Sequence, residues 1–384
     1  MLGLYLHIPF CAQRCVYCSF YSTTHGAAMR RRYATALCHE IASRASCATC
    51  ASEPLSSIYL GGGTPSCLSD DDLRRILHTI YAHCRIAPDA EVTLEANPDD
   101  ISAARVAAWR TMGINRISMG VQSTDDTTLR LLRRRHTAAE AMAAVHTVCD
   151  GGISNISIDL IYGLPGQSMA AWQSDVATAL SLPIQHLSAY ALSIEPGTPL
   201  YNMRACGEVQ ECDEEMSRAM YDHLIAATQA AGMVHYEISN FGYPDHMARH
   251  NTAYWQGHPY LGIGAGAHGY DGAALRRINT PDVQAYVAAY EASLAADVPF
   301  DPPHNDEYLS PSERYDEQVM TGLRTTEGIH LAALSDDERA YLLRQSARFV
   351  ASRHLALTSD EHLRLTHEGI FISDYIMAEL MWDA

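Results

Sequence analysis

Short apolar runs rich in β-branched residues recur through the first half of the chain and set the reading of its fold. Six stand out: Leu4–Ile8, Ile58–Leu60, Val92–Glu95, Arg116–Gly120, Ile156–Ile161 and His186–Leu192. Each is too short for a helix and reads as a buried strand. Between them, apolar positions recur at helical spacing over Asp71–His83, Ser102–Met112, Asp125–Arg134 and Ala138–Cys149. Ser69 or Asp70 suits the N-cap of the first, and Gly113 closes the second. Strand and helix alternating in this way predict parallel βα units.

The pattern changes after about residue 205. GEVQECDEEMSRAMYDHLIAATQAAG reads as one amphipathic helix ending at Gly232. A stretch rich in His, Tyr, Gly and Asn, residues 235–272, shows no clear period. Pro302-Pro303 marks a break. The closing HLALTSDEHLRLTHEGIFISDYIMAEL reads as strand, strand and helix around a Gly turn, as in a small winged-helix module. Three units follow: a barrel core over 1–205, an extension over 206–300 and a C-terminal module over 301–384.

Polar and Gly-rich residues fall at the ends of the expected strands. Three cysteines follow the first strand and GGGTP (61–65) the second; Glu95 closes the third and Gln122 the fourth. Asp159 lies within the fifth, and Tyr190 and Glu195 lie at or just after the sixth. In a βα barrel the chemistry collects at the carboxyl ends of the strands, so these groups are expected around one mouth.

Composition narrows the class. With 47% apolar and 19% charged residues, the 384-residue chain reads as globular. A formal charge of −18 argues against a nucleic-acid surface, and Arg133-Arg134-Arg135 is too short a basic run to reverse that. The start MLGLYL lacks the basic region of a signal peptide, and no apolar run reaches the length of a membrane span. Eleven cysteines, an odd number, fit reduced thiols and a cytoplasmic setting.

Cys11, Cys15 and Cys18 form C-x3-C-x2-C on one loop. Zinc takes four ligands, its cysteines usually in two close pairs. Three thiolates on one loop suit instead a [4Fe–4S] cluster with one iron left open. Such an iron can take the amino and carboxylate groups of S-adenosylmethionine (SAM). A plainer reading, structural thiols in a metabolic barrel enzyme, predicts a colourless protein.

With Tyr17 ahead of the third cysteine, this motif resembles the signature of the radical SAM superfamily. YLHIPFC, YLGGGTPS, LEANPD, RISMGVQS, IDLIYGLPGQ, YLGIGAGAHG and LRTTEGI together resemble its coproporphyrinogen dehydrogenase-like branch, over nearly the whole chain. The resemblance implies an α/β fold, an incomplete (β/α)6 barrel with a small C-terminal winged-helix-like domain. It implies a strand tyrosine beside the cluster at Tyr5, and Gly62, Gly63 and Thr64 against the methionine end of SAM. A side chain at those glycines would enter the ligand's space. Glu95, Gln122, Arg134 and Asp159 match the polar positions around SAM, whereas Arg133 and Arg135 read as solvated charges on a helix face.

Two functions divide the branch: oxidative decarboxylation of coproporphyrinogen III, and delivery of heme by heme chaperones. The dehydrogenases carry a further cysteine two residues after the third, where this chain has Phe20, and an extension ahead of the first strand, where it has ten residues before Cys11. His250-Asn251-Thr252-Ala253-Tyr254-Trp255 matches the H-N-x-x-Y-W motif of the chaperones. An imidazole can ligate heme iron and the aromatics offer flat apolar surface. The expectation is a heme chaperone, with heme and a heme-acceptor protein as partners and no nucleic acid. His250, Asn251, Tyr254 and Trp255 are its heme-binding residues, and the decarboxylating oxidase is the alternative. A homodimer and peripheral membrane contact are left open. His268 reads as part of a closely packed Gly-rich segment, His7 as packed near the cluster or simply satisfied in the core, and Cys47 and Cys50 as incidental thiols.

Overall fold

The six expected strands form one parallel array in chain order. They are β1 (Leu2–Ile8), β2 (Leu55–Gly62), β3 (Ile86–Ala96), β4 (Arg116–Gln122), β5 (Asn155–Tyr162) and β6 (His186–Ala191). The structure is a computed structural model, which describes residues 1–45 and 53–382. Cys47 and Cys50 lie outside the described residues.

Alternation along these strands sorts the side chains. Leu4, Leu6 and Ile8, Ile58 and Leu60, Leu94, Ile117, Ile158 and Leu187 are buried in one hydrophobic core with Trp109 and Trp172 of the surrounding helices. The residues between them face the barrel interior, and many are polar. Register brings them side by side: Tyr5 opposite Tyr59, Glu95 opposite Ser118, and Asp159 opposite Ser188. Helices begin where short polar side chains accept an orphan amide. Ser69 caps Asp70–His83, Ser102 caps Ala103–Thr111, and Thr137 and Glu140 form a capping box on Ala138–Asp150.

The barrel does not close on itself. The residues after 205 extend its sheet at both sides instead, through β7 (Val234–Glu237), β8 (Asn240–Gly242), β9 (Tyr260–Ile263), β10 (His268–Tyr270), β11 (Leu275–Asn279) and β12 (His304–Tyr308). The twelve strands run β12-β11-β10-β9-β1-β2-β3-β4-β5-β6-β8-β7. Thus β9 lies parallel against β1, β8 antiparallel against β6, and the incomplete barrel has paired strands at its seam.

A second core belongs to the C-terminal module. Helices Pro311–Arg324, Asp336–Ala351 and Ser373–Leu380 pack Tyr315, Val319, Leu342 and Leu380 around a small antiparallel sheet. Its strands are β13 (Ile329–His330), β14 (Leu355–Leu357) and β15 (His362–Leu365), in the order β13-β15-β14.

Four local expectations change. Residues 235–272 are not irregular but hold four short strands and helix Arg249–Trp255, pieces too brief to show a period. The helix expected over Asp125–Arg134 runs only over Asp126–Leu131, because Arg133 turns left-handed at φ 56°. The helix expected from Gly207 starts at Glu214, where Asp213 caps it. β12 lies beyond Pro302-Pro303 yet pairs with β11, so the main sheet runs past the boundary drawn at 301. A long helix, Ala27–Arg44, also escaped notice, since Ala34 and Ala36 among its buried residues give a weak apolar stripe.

No helix among the described residues is long and apolar enough to cross a membrane. Nothing in the described residues supports a dimer face or a membrane-contact face.

Candidate functional site

The carboxyl ends of β1–β6 surround a cavity of about 520 Å³. Cys11, Cys15 and Cys18 line it together with Tyr5, Gly62, Gly63, Thr64, Glu95, Gln122, Arg134 and Asp159. The structure therefore gathers all eleven residues expected at the mouth. Tyr190 and Glu195, flagged at the sixth strand end, join them.

Backbone pairing fixes the cysteine loop to the Gly-rich turn. The Gly63 amide donates to the Ile8 carbonyl at 3.0 Å, the Thr64 amide to the Phe10 carbonyl at 2.7 Å, and the Thr64 hydroxyl to Cys11 Sγ at 3.7 Å. Gly62 stands at φ +112°, where a Cβ would sit 2.7 Å from the His7 ring. A Cβ on Gly63 would lie 2.7 Å from the Phe10 carbonyl oxygen. The space those glycines leave free is thus taken by the cysteine loop and by His7. This corrects the expectation that a side chain there would collide with a ligand.

Burial pushes the Cys11 and Cys18 thiols up, and the neighbouring Cys15 charge adds to the effect. Thiols so crowded need a positive partner nearby if they are to ionise. Arg134 supplies part of it, with Nη1 3.4 Å from Cys15 Sγ. Among the described residues no three side chains converge as a single metal ion would require. In a cluster each cysteine takes a different iron, so the donor set fits a cluster better than a mononuclear site.

Arg134 is not on a helix but in the turn after one. Its Nη2 donates to Asn97 Oδ1 at 2.7 Å and to the Gly120 carbonyl, and its buried Nε has no partner. Arg135 is paired with Asp99 and with Asp100 at 3.4 Å rather than being a free charge on a helix face. Asn97, which sequence reasoning passed over, also donates to the Thr64 hydroxyl at 3.3 Å and so ties the Gly-rich turn to Arg134. Its signal was its place in LEANPD, two residues past Glu95. Gln122 ends β4 at φ 71°, beside a register shift after Gly120.

Two carboxyls form the floor. Burial, with the Asp159 charge behind it, pushes Glu95 up to about 7, while Tyr59 Oη at 2.7 Å and the Gly62 amide at 3.1 Å favour its ionised form. Burial likewise raises Asp159 to about 6 against the opposing pull of Ser188, Arg116 and Arg134. Both can hold or lose a proton near neutrality. Tyr5 donates to or accepts from His7 Nδ1 at 2.9 Å, and His7 Nε2 meets the Tyr21 carbonyl at 3.2 Å. His7 is therefore both beside the cavity and satisfied. Phe20 is 70% exposed on the rim.

His250 lies elsewhere, at the opposite end of β1 and β2. Its Nδ1 is 2.8 Å from Ser57 Oγ and its Nε2 2.8 Å from Tyr254 Oη, and the ring stacks on Tyr59 at 5.1 Å. It is 1% exposed, with both nitrogens engaged. As the chain stands it is not open to a macrocycle, which corrects its reading as the heme-facing imidazole. Tyr254 and Trp255 line a second cavity at that end, and Asn251 is half-buried outside that lining. In the Gly-rich segment, a Cβ on Gly264 would fall 2.7 Å from the His7 carbonyl, which accounts for its close packing.

Residues 5–178 match the family described as the radical SAM superfamily, and residues 309–372 match the HemN C-terminal domain. The chain is 32% identical to a heme chaperone HemW of Bacillus subtilis, over 99% of both chains. It is 37% identical to the heme chaperone HemW of Escherichia coli over 73% of this chain and 74% of that one. Among solved structures, coproporphyrinogen III oxidase (HemN) from Escherichia coli, a radical SAM enzyme, superposes with a TM-score of 0.82 at 21% identity. The match covers 99% of this chain and 90% of that one, a likeness of fold.

Proposed function

This chain belongs to the radical SAM superfamily, in the branch that includes the HemW heme chaperones, and from that membership we propose that it binds heme and transfers it to an acceptor protein such as a respiratory cytochrome. The observation that carries the reading is its end-to-end similarity to a heme chaperone of Bacillus subtilis, at 32% identity over 99% of both chains. Two local features support it. Phe20, not a fourth thiol, occupies the rim position after Cys18, and Tyr254 and Trp255 of HNTAYW border a large cavity.

At the barrel mouth, Cys11, Cys15 and Cys18 would hold a [4Fe–4S] cluster. Gly62, Gly63, Thr64, Glu95, Gln122, Arg134 and Asp159, with Tyr5 beneath, would surround SAM. When bound, the cluster supplies an open iron and an electron for the sulfonium. The chain's own share is positional. The Arg134 guanidinium, held by Asn97 and the Gly120 carbonyl beside Cys15, brings positive charge to the cavity for an anionic ligand group, and Glu95 and Asp159 take up or release protons as a cationic group approaches. His250 enters as the residue that orients Tyr254.

The test is hemin titration of anaerobically reconstituted protein, followed by mixing with an apo-cytochrome. A shifted Soret band that moves to the acceptor is expected. No Soret change on adding hemin would refute the reading. Loss of two carboxylates from coproporphyrinogen, with reductant and SAM, would replace it by the oxidase.

A further inference from the structure

The parallel strands turn polar side chains into a barrel interior that bulky apolar residues commonly fill. Arg116 of β4 and Glu91 of β3 lie deep in it, with side chains 2% and 5% exposed, and neither lines the mouth cavity. Their ion pair is long, 3.9 Å, and Arg116 Nε is buried without a hydrogen-bond partner. Apolar packing would avoid both costs. The connections of the pair run to both ends of the barrel.

At the foot, the pair holds the start of helix Arg249–Trp255. The two Glu91 oxygens accept from the Arg249 and His250 amides, each at 3.3 Å. The preceding amide, of Ala248, donates to Tyr236 Oη at 3.3 Å, and that hydroxyl lies 2.7 Å from His186 Nε2. Ala248 has no side-chain oxygen with which to cap the helix. Three consecutive amides are therefore held by buried groups of the sheet. Burial, then the Arg116 charge, keeps the rings of His186 and His250 neutral.

The same guanidinium acts on the mouth. Arg116 is in register with Thr93, midway along the inward row of β3 between Glu91 and Glu95, which stand roughly 13 Å apart along the strand. Ser118, next on the inward row of β4, lies 3.5 Å from Asp159. Burial raises Glu95 and Asp159, and Arg116 is among the groups that pull both back. The phenols of Tyr5, Tyr59 and Tyr190 beside these carboxyls are pushed up by burial and keep their protons. Arg134, the other cation acting on Asp159, is held at the cysteine loop.

We propose that Arg116 and Glu91 are positioning residues that join the mouth to helix Arg249–Trp255, so that capture of SAM at one end and order at the start of the helix at the other are coupled. The proposal rests on the reading of the mouth as a SAM site. A cationic ligand group there holds Glu95 and Asp159 ionised, and their charges draw on Arg116. Glu91, less neutralised, becomes the stronger acceptor for the two helix amides. By reciprocity, a change at Glu91, outside the mouth cavity, alters capture within it.

The experiment is calorimetric titration of SAM into full-length, cluster-reconstituted protein across about pH 5.5 to 8. Wild type is compared with Glu91→Gln and with Arg116→Met/Glu91→Gln, and circular dichroism and iron content check folding. Affinity should fall on the acid side as Glu95 and Asp159 take up protons. Glu91→Gln leaves Arg116 to act on the mouth alone, which moves this fall to lower pH. The double variant removes the cation and moves it to higher pH, each by about half a unit or more, or about threefold in affinity on the acid limb. Hydrogen exchange of residues 248–255 should slow at least about twofold on adding SAM to wild type and not respond in the double variant. Shifts in neither variant, or in the same direction in both, overturn the proposal and leave the SAM reading standing. So does a wild-type helix whose exchange ignores SAM. Should the double variant not fold, Glu91→Gln decides alone, because an unmoved acid limb overturns the proposal. Wild type that binds no SAM overturns the reading of the mouth and the proposal together.

Discussion

Replacing Glu95 by Gln isolates a proton that the fold holds and the unfolded chain does not. Burial, then the Asp159 charge, raises this carboxyl to about 7, against roughly 4.3 when unfolded. A raised folded value means that the group favours folding at pH below about 4.3, and that this contribution is lost as pH rises through 7. The gap corresponds to about 3.7 kcal/mol, and because water enters the cavity that Glu95 borders we take about half, ~1.8 kcal/mol. The amide has one acceptor oxygen for two donors, Tyr59 Oη and the Gly62 amide, a pH-independent loss of about 1 kcal/mol. Glu95→Gln should therefore be about 0.5 kcal/mol less stable than wild type at pH 5 and about 0.8 kcal/mol more stable at pH 8.5. Urea unfolding of the metal-free, reduced protein at the two pH values, followed by the fluorescence of buried Trp109 and Trp172, measures both differences. If the variant differs from wild type by the same amount at both, Glu95 does not carry the raised carboxyl and the account of the floor is wrong.

Other outcomes follow from the same geometry. Cys15→Ala should leave secondary structure intact and bring reconstituted iron to background, and retained iron would exclude Cys15 as a ligand. Gly62→Ala forces a Cβ into a left-handed position 2.7 Å from His7, costing about 1–3 kcal/mol; an unchanged melting temperature would show that the turn relaxes freely. Asn97→Leu cuts the link between Thr64 and Arg134, so SAM should bind about tenfold more weakly at unchanged iron content, as read by calorimetry. Equal affinity would remove Asn97 from the site.

Much of the fold was legible because six buried strands leave a repeated signature, and βα order puts their carboxyl ends on one side. The mouth was legible for the same reason. Cys11, Gly62, Glu95 and Asp159 are far apart in sequence, yet each follows or ends a strand of one parallel array. What sequence did not disclose depends on packing across long separations. Whether His250 faces a ligand is decided by Ser57 and Tyr254, which occupy both of its nitrogens. The β7–β11 additions are only three to five residues each and gain their form by pairing with the barrel. Arg134 left its expected helix because the chain turns at Arg133. No periodicity records that turn.

The place of β1 in the sheet bears on when the site can first exist. Leu2–Ile8 precedes every other described element along the chain, but its two neighbours are β2 and, more than 250 positions later, β9, with Gly3 opposite Tyr260. Until about residue 263 has been made, one edge of the strand that carries the cysteine loop is bare, a contact of very long range that closes late. Iron loading of a nascent chain would therefore meet an unsupported loop. The order of events that this topology favours is synthesis through β9, closure of β9 onto β1, and only then metallation.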